Sequence, residues 1–301
     1  MGHENQASVY QLAGRSIFFD RPIAELQPYA IRETRFPAKM QAVRRSSETN
    51  RAVTKSFAPL IQATGWIGDG FSTVSVWRDV DGFILEIPNA GDYWIATDGK
   101  EVNQVWLDSQ AEQAFLSEAL LGPPLVLALA LQGVWCLHAC AALYKMNLIA
   151  FLGESGAGKS TLATFIDSQP GFSRLVDDIL PITWEAQTVQ ACPHFPQLKL
   201  PAYQQPVVNS PEYVPVAAMY LLSEQPGISI QSLRPSQAIL ALVQQTVAAR
   251  LFDRELLEYH LVFCSQAVTQ IPIRRLAYPH QYDILPLVWE ALQADLIEMS
   301  A

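Results

Sequence analysis

Gly153-Glu154-Ser155-Gly156-Ala157-Gly158-Lys159-Ser160-Thr161 carries the spacing G-x-x-x-x-G-K-[ST], with Gly153, Gly158, Lys159 and Ser160 in register. Before it, Asn147-Leu-Ile-Ala-Phe-Leu152 is an apolar run of strand length; after it, Thr161-Leu-Ala-Thr-Phe-Ile166 opens a helical pattern. Strand, glycine-rich turn and helix in that order predict a phosphate loop (Walker A). Glycines let the backbone curl until successive N–H groups point inward at phosphate oxygens, and the following helix adds the positive end of its dipole. Lys159 supplies a point charge for the outer phosphates and the Ser160 hydroxyl a ligand for Mg²⁺. All nine residues from Gly153 to Thr161 are therefore expected to bind nucleotide.

The rest of the composition sets bounds on this reading. A chain of 301 residues, half of them apolar and 16% charged, predicts about two globular domains with sizeable cores. A formal charge of −9 speaks against a nucleic-acid-binding surface. Four cysteines without a secretory signal point to a reducing cytoplasm. The apolar stretch Leu125 to Tyr144 is interrupted by Gln132, Gly133 and His138 and starts after Pro123-Pro124. It reads as a buried helix, Pro124 to Gln132, and a buried strand, Val134 to Tyr144, rather than as a membrane span.

Residues 1–108 are β-rich. Ser16–Phe19, Val74–Trp77, Gly82–Ile87 and Asp92–Thr97 are aromatic and β-branched runs, with hairpin turns expected at Asp81-Gly82 and Asp98-Gly99. Between the first two lies Ala38 to Ser56, with Lys39, Arg44, Arg45, Arg51 and Lys55 against the single acid Glu48. That segment is either a solvated loop or a basic arm for an acidic substrate or the nucleotide. Residues 109–301 begin with a helical stretch broken near Gly122-Pro123-Pro124 and alternate strands with helices thereafter. A long helix is expected at about 236–252 and a last one at 286–299. The fold class expected is an α/β phosphate-loop core preceded by a smaller β-rich α+β domain.

Arg174-Leu-Val-Asp177-Asp178 ends an apolar strand downstream of the loop. One carboxylate of such a pair can hold Mg²⁺ and the other can orient or deprotonate an attacking hydroxyl. His138 lies in Trp135-Cys-Leu-His-Ala-Cys-Ala-Ala, a strand otherwise too apolar for an idle imidazole. Cys136, His138 and Cys140 alternate onto one face of that strand, at a spacing unlike zinc ligand pairs, and no second pair follows. Cys192 and Cys264 read as packing residues.

The order Leu137-His138-Ala, strand, Gly153-x-Ser-Gly-x-Gly-Lys-Ser160-Thr, Val176-Asp177-Asp178 resembles the catalytic domain of HPr kinase/phosphorylase. It is similar in particular to the HPr-kinase-related proteins that include lasso-peptide tailoring kinases. Pro193-His-Phe-Pro196-Gln-Leu-Lys199-Leu200 and Ile271-Pro-Ile-Arg-Arg-Leu276-Ala-Tyr-Pro279 are also similar to that subgroup. The resemblance implies a kinase core like the C-terminal domain of HPr kinase, with ATP and Mg²⁺ as cofactors. It implies Asp178 as general base toward a serine hydroxyl, His138 beside it, Lys159 and Ser160 on the phosphates and Mg²⁺, and Asp177 supporting the metal. Which of Asp177 and Asp178 does which stays open. The glycine-rich signature that accompanies the reverse, phosphorylase reaction is missing after Trp184, so neither dephosphorylation nor HPr itself as substrate is expected.

The function expected is transfer of the γ-phosphoryl group of ATP to a serine of a peptide or small protein, such as a ribosomally made peptide precursor. Neither a nucleic acid nor a membrane is an expected partner, and the resemblance leaves a homo-oligomer open. Two rivals stand beside it: a regulatory, non-catalytic nucleotide-binding protein, and a kinase for a small-metabolite hydroxyl. Lys199, Arg250 and Arg254 are weaker candidates for charges near the phosphates.

Overall fold

Short runs of aromatic and β-branched residues between Ser8 and Leu107 build one sheet. In the computed structural model, which describes residues 8–31, 40–44, 55, 58–67, 70–107, 111–198 and 211–300, it has eight strands. These are β1 (Ser8–Leu12), β2 (Arg15–Phe19), β3 (Met40–Arg44), β4 (Ile61–Ile67), β5 (Gly70–Arg78), β6 (Gly82–Ile87), β7 (Gly91–Ala96) and β8 (Glu101–Leu107). Their order is β1-β2-β3-β8-β7-β6-β5-β4, with β3 parallel to both neighbours and the other pairs antiparallel. Both expected hairpins form. At the second, Gly99 adopts a left-handed φ of 68°, and a Cβ there would lie 2.2 Å from the carbonyl oxygen of Ala128.

That close approach comes from helices α1 (Gln113–Leu121) and α2 (Pro123–Leu131). The Gln132 side-chain amide donates to the Gly99 carbonyl at 2.9 Å and ties the end of α2 to the hairpin. Gln113–Leu131 is long and apolar enough to cross a membrane, yet two thirds of it is buried within the fold. The chain divides into two compact units: residues 1–135 with 201–203 and 247–258, and residues 136–200 with 204–246 and 259–301. The helical stretch therefore joins the β-rich unit, and the division falls at Trp135/Cys136 rather than at 108/109. The first unit is correspondingly larger than the small domain expected.

The segment 38–56 is not loop throughout, since residues 40–44 form β3. Lys55 pairs with Glu86 and Asp92 and lies 5.0 Å from the centre of the Trp77 ring. Lys39, Arg45 and Arg51 lie outside the described residues, as does Lys199.

The second unit is a mixed α/β structure. Its strands are β9 (Val134–Tyr144), β10 (Asn147–Leu152), β11 (Phe172–Val176), β12 (Ile179–Glu185), β13 (Thr188–Ala191), β14 (Val214–Glu224), β15 (Ser229–Ser232) and β16 (Ile273–Tyr278). Its helices are α3 (Lys159–Asp167), α4 (Pro235–Gln245), α5 (Arg254–Gln270) and α6 (Leu285–Ser300). The strand order is β10-β9-β12-β13-β14-β16-β15, β11 adds to β9, and β10 also pairs in parallel with β14. Phe151, Tyr220 and Leu276 of the sheet pack with Leu162 and Ile166 of α3 and Val288, Trp289 and Leu292 of α6. Each such side chain contributes about 1.5–3 kcal/mol through burial. The Tyr220 hydroxyl donates to Asp295 Oδ2 at 2.8 Å and Arg274 pairs with the other carboxylate oxygen, so both oxygens of the buried Asp295 are matched.

The long helix expected at 236–252 stops at Gln245. Thr246 is extended, Ala248 turns left-handed at φ 61°, and a single 3-10 turn covers Ala249–Leu251. Asp253 then caps a new helix, its Oδ1 accepting the Leu256 N–H at 2.9 Å. Arg250 is exposed in the short turn, and Arg254 opens α5 rather than closing α4 and pairs with Glu258 at 2.9 Å.

His260 on α5 is fully buried, with Nε2 3.0 Å from Thr246 Oγ1 and 3.3 Å from Cys264 Sγ. The Thr246 hydroxyl donates to the Leu242 carbonyl, which leaves its oxygen to accept from the imidazole. Burial pulls the His260 pKa down to about 4 and pushes the Cys264 thiol up to about 12. The unfolded chain takes up this proton below its ordinary value of about 6.5 and the folded chain does not until about 4. Between those values the unfolded state binds more protons, so stability is full above the window and falls as pH falls through it. The expected loss is about 3 kcal/mol. In urea titrations at stepped pH, His260→Leu should show a flatter fall than wild type over this window; equal slopes would contradict the burial of a neutral imidazole.

Candidate functional site

β9 carries the candidate residues on both flanks. On one side it pairs with β10, Phe151 opposite Cys140 and Leu152 opposite Ala139, and β10 ends directly in the glycine-rich turn. On the other side it pairs with β11, Val176 opposite Ala141, and the Ala139 N–H donates to the Asp178 carbonyl at 3.1 Å. The turn 153–158 and the Asp177-Asp178 junction between β11 and β12 therefore come to one region by strand register. His138 and Cys140, two residues apart, face the same way toward it.

In the turn, Gly156 and Gly158 have φ of 85° and 83°, and Gly158 is the N-cap of α3. Glu154, Ser155, Gly156, Ser160 and Thr161 are exposed, whereas Lys159 is buried. Lys159 Nζ donates to the carbonyl oxygens of Gly153 at 2.7 Å and Glu154 at 2.9 Å, and the Ala157 N–H donates to Glu154 O at 3.1 Å. The first-turn amides of α3 have no carbonyl partner inside their own helix, which makes this terminus electropositive. Leu222 of β14 lies under Gly153. The Tyr278 hydroxyl, at the end of β16, sits where a side chain on Gly158 would begin, 3.0 Å from an added Cβ. Burial raises the Tyr278 pKa to about 12, so the hydroxyl is neutral.

The Asp pair is split between two environments. Asp177 Oδ1 is 3.3 Å from the Cys140 thiol and 3.7 Å from the Arg174 guanidinium, and Arg174 also donates to Thr164 Oγ1 of α3 at 3.2 Å. The same thiol lies 3.6 Å from Ser160 Oγ. Burial, and then the neighbouring Asp177 carboxylate, push the Cys140 thiol well up, so it stands as a neutral S–H between the two oxygens. Asp178 is buried, its Oδ1 3.6 Å from His138 Nε2. Gln197, with no exposed surface, accepts N–H donation from Asp177, Asp178 and Ile179 at 3.1, 2.8 and 3.3 Å.

Two comparisons find nothing: no family model matches this chain, and no curated protein matches its sequence. Several solved structures are distantly similar, among them a kinase/phosphatase. The HPr(Ser) kinase/phosphatase from Coxiella burnetii aligns with 55% of this chain and 99% of its own, at 10% identity and a TM-score of 0.31. At that score the likeness does not settle a family.

The structure thus brings together Lys159, Ser160, Asp177, Asp178 and His138, whereas Arg250 and Arg254 belong to the other unit. Cys136 lies near Cys192 instead. Among the described residues no group of three His, Cys, Asp or Glu side chains converges to hold a metal ion. Ser160 and Asp177 across the Cys140 thiol do suit a cation that keeps most of its oxygen ligands from phosphate and water, which is how Mg²⁺ is held. Sequence reading singled out the stretches that hold Arg174, Gln197 and Tyr278 but gave these three residues no role in the site. Their roles depend on which strand ends meet, and no spacing in the chain announces that.

Gly156→Ala and Gly158→Ala both force a left-handed alanine, at about 1–3 kcal/mol each. The added methyl at 156 meets open space while that at 158 meets the Tyr278 hydroxyl. Chemical denaturation should show the larger loss for Gly158→Ala, partly recovered by adding Tyr278→Phe. Equal losses without recovery would show that Tyr278 does not abut the turn.

Proposed function

We propose that this chain is a phosphotransferase that moves the γ-phosphoryl group of ATP to a serine hydroxyl of a peptide or small protein. The observation that carries the reading is the division of the adjacent carboxylates: Asp177 shares the Cys140 thiol with Ser160, and Asp178 faces His138. A nucleotide-binding switch needs the first arrangement. It has no use for the second, a buried carboxylate beside an imidazole.

The loop amides of Gly153 to Thr161 and the N-terminus of α3 take the phosphates. Lys159 exchanges the carbonyls of Gly153 and Glu154 for the outer phosphate oxygens, which offer it full negative charge in place of dipoles. Ser160 and Asp177 would hold Mg²⁺, which would supply neutralisation of the charge that gathers on the phosphates. Asp178 orients the acceptor hydroxyl and takes its proton, while His138 fixes that carboxylate from the β9 side. A bond forms between the serine oxygen and the γ-phosphorus, the bond to the β–γ bridging oxygen breaks, and ADP leaves with that electron pair. Positioning of donor and acceptor in line supplies most of what the protein adds.

Incubation with Mg-ATP and serine-bearing candidate peptides, followed by mass spectrometry, tests this directly. One phosphoryl mass should appear on a serine with wild type and fall by about 10²–10⁴-fold with Asp178→Asn, the range expected for loss of a general base. Nucleotide binding by wild type with no transfer to any peptide, protein or small hydroxyl acceptor would favour the regulatory reading. Transfer to a small metabolite alone would replace the acceptor class.

A further inference from the structure

Gln197 stands outside every role assigned above, yet it bonds directly to the backbone of the Asp177-Asp178 junction. Its Oε1 accepts the N–H groups of three successive residues, Asp177, Asp178 and Ile179. Its Nε2 donates to the carbonyls of Ile179 at 3.1 Å and Phe195 at 2.9 Å. The side chain is fully buried. Three converging amides form a concave donor set of the kind that binds anions, and here a neutral amide oxygen fills it. The chain direction at Asp177-Asp178 is thus fixed from below, and two carboxylates adjacent in sequence are held facing different partners, Cys140 and His138.

We infer that Gln197 is the positioning residue of the site: by binding the three amides of the junction it sets Asp177 toward Ser160 and thereby fixes the cation-dependent part of nucleotide binding. This rests on the phosphotransferase reading of the same site. The bonds of Gln197 run to the Asp177-Asp178 junction, Ile179 and Phe195, so the expected effect falls on the cation-dependent part of binding and not on phosphate binding without a cation. A residue that merely stabilised the fold would affect both kinds of binding together.

Calorimetric titration of the full chain with ATP, once in EDTA and once in Mg²⁺, separates these cases. Gln197→Asn keeps the amide and withdraws it by one methylene; Gln197→Met keeps the length and loses the polar atoms. Gln197→Glu keeps an acceptor for all three amides. In wild type Mg²⁺ should tighten ATP binding. In the Asn and Met variants that gain should shrink by about tenfold, the worth of one or two lost hydrogen bonds, with affinity in EDTA unchanged. The Glu variant should retain more of the gain than either. Thermal melts identify variants that do not fold, and the Asn and Met proteins each suffice alone. Retention of the full gain in a folded Asn or Met variant overturns the inference and leaves the phosphotransferase reading standing, as does an equal loss in EDTA. Absence of any Mg²⁺ gain in wild type sinks the reading itself, and this inference with it.

Discussion

The candidate site depends on the register of one buried strand. β9 is apolar for nearly its whole length, and its alanines and cysteines leave room for neighbours on both edges. Because it pairs with β10 on one side and with β11 on the other, a loop that follows β10 and a junction that follows β11 must emerge at the same end. The Cys140 thiol, within 3.6 Å of Ser160 and 3.3 Å of Asp177, marks how closely the two arrive. A slip of one residue in either pairing would turn His138 and Cys140 to the opposite face and separate the pieces. Burial of that strand within the core is what makes such a slip costly.

The polar groups of the site itself are satisfied locally, which lets it sit against an apolar core. Lys159 is buried but spends its charge on two carbonyls of its own loop. Gln197 matches the amides of the Asp pair, and Arg174 ties Asp177 to the helix that leaves the loop. Unpaired, each of these groups would cost about 1–3 kcal/mol. Paired, they hold their geometry while remaining exchangeable for ligand oxygens, since a phosphate offers Lys159 more than a carbonyl does.

Much of this was legible in the chain. The glycine spacing with its flanking strand and helix located the turn between β10 and α3, and the apolar run around His138 read as the strand it is. The Asp pair stood out because it ends an apolar strand downstream of the glycine-rich turn and Lys159. Element boundaries were read less well after residue 235. The helix expected to run on to Phe252 breaks at Thr246, whose hydroxyl bonds back to Leu242, and the cap signal of Asp253 that begins α5 went unused. Strand β3 hid inside a basic segment, where charge outweighed the alternation of five residues. The membership of α1 and α2 in the β-rich unit follows from the bond of Gln132 to Gly99, a long-range contact with no local trace. Gln197 was hidden for the same reason.

The central claim is that Ser160 and Asp177, brought together across Cys140, act as one cation-holding pair. A double-mutant cycle measures that coupling. ATP affinity in Mg²⁺ relative to EDTA would be determined for wild type, Ser160→Ala, Asp177→Asn and the double variant. Ligands of one cation should be non-additive, the double variant losing little more than the worse single one, with a coupling of about 0.5–3 kcal/mol. Strictly additive losses would mean that the two residues act on the nucleotide independently, and the shared site would have to be abandoned.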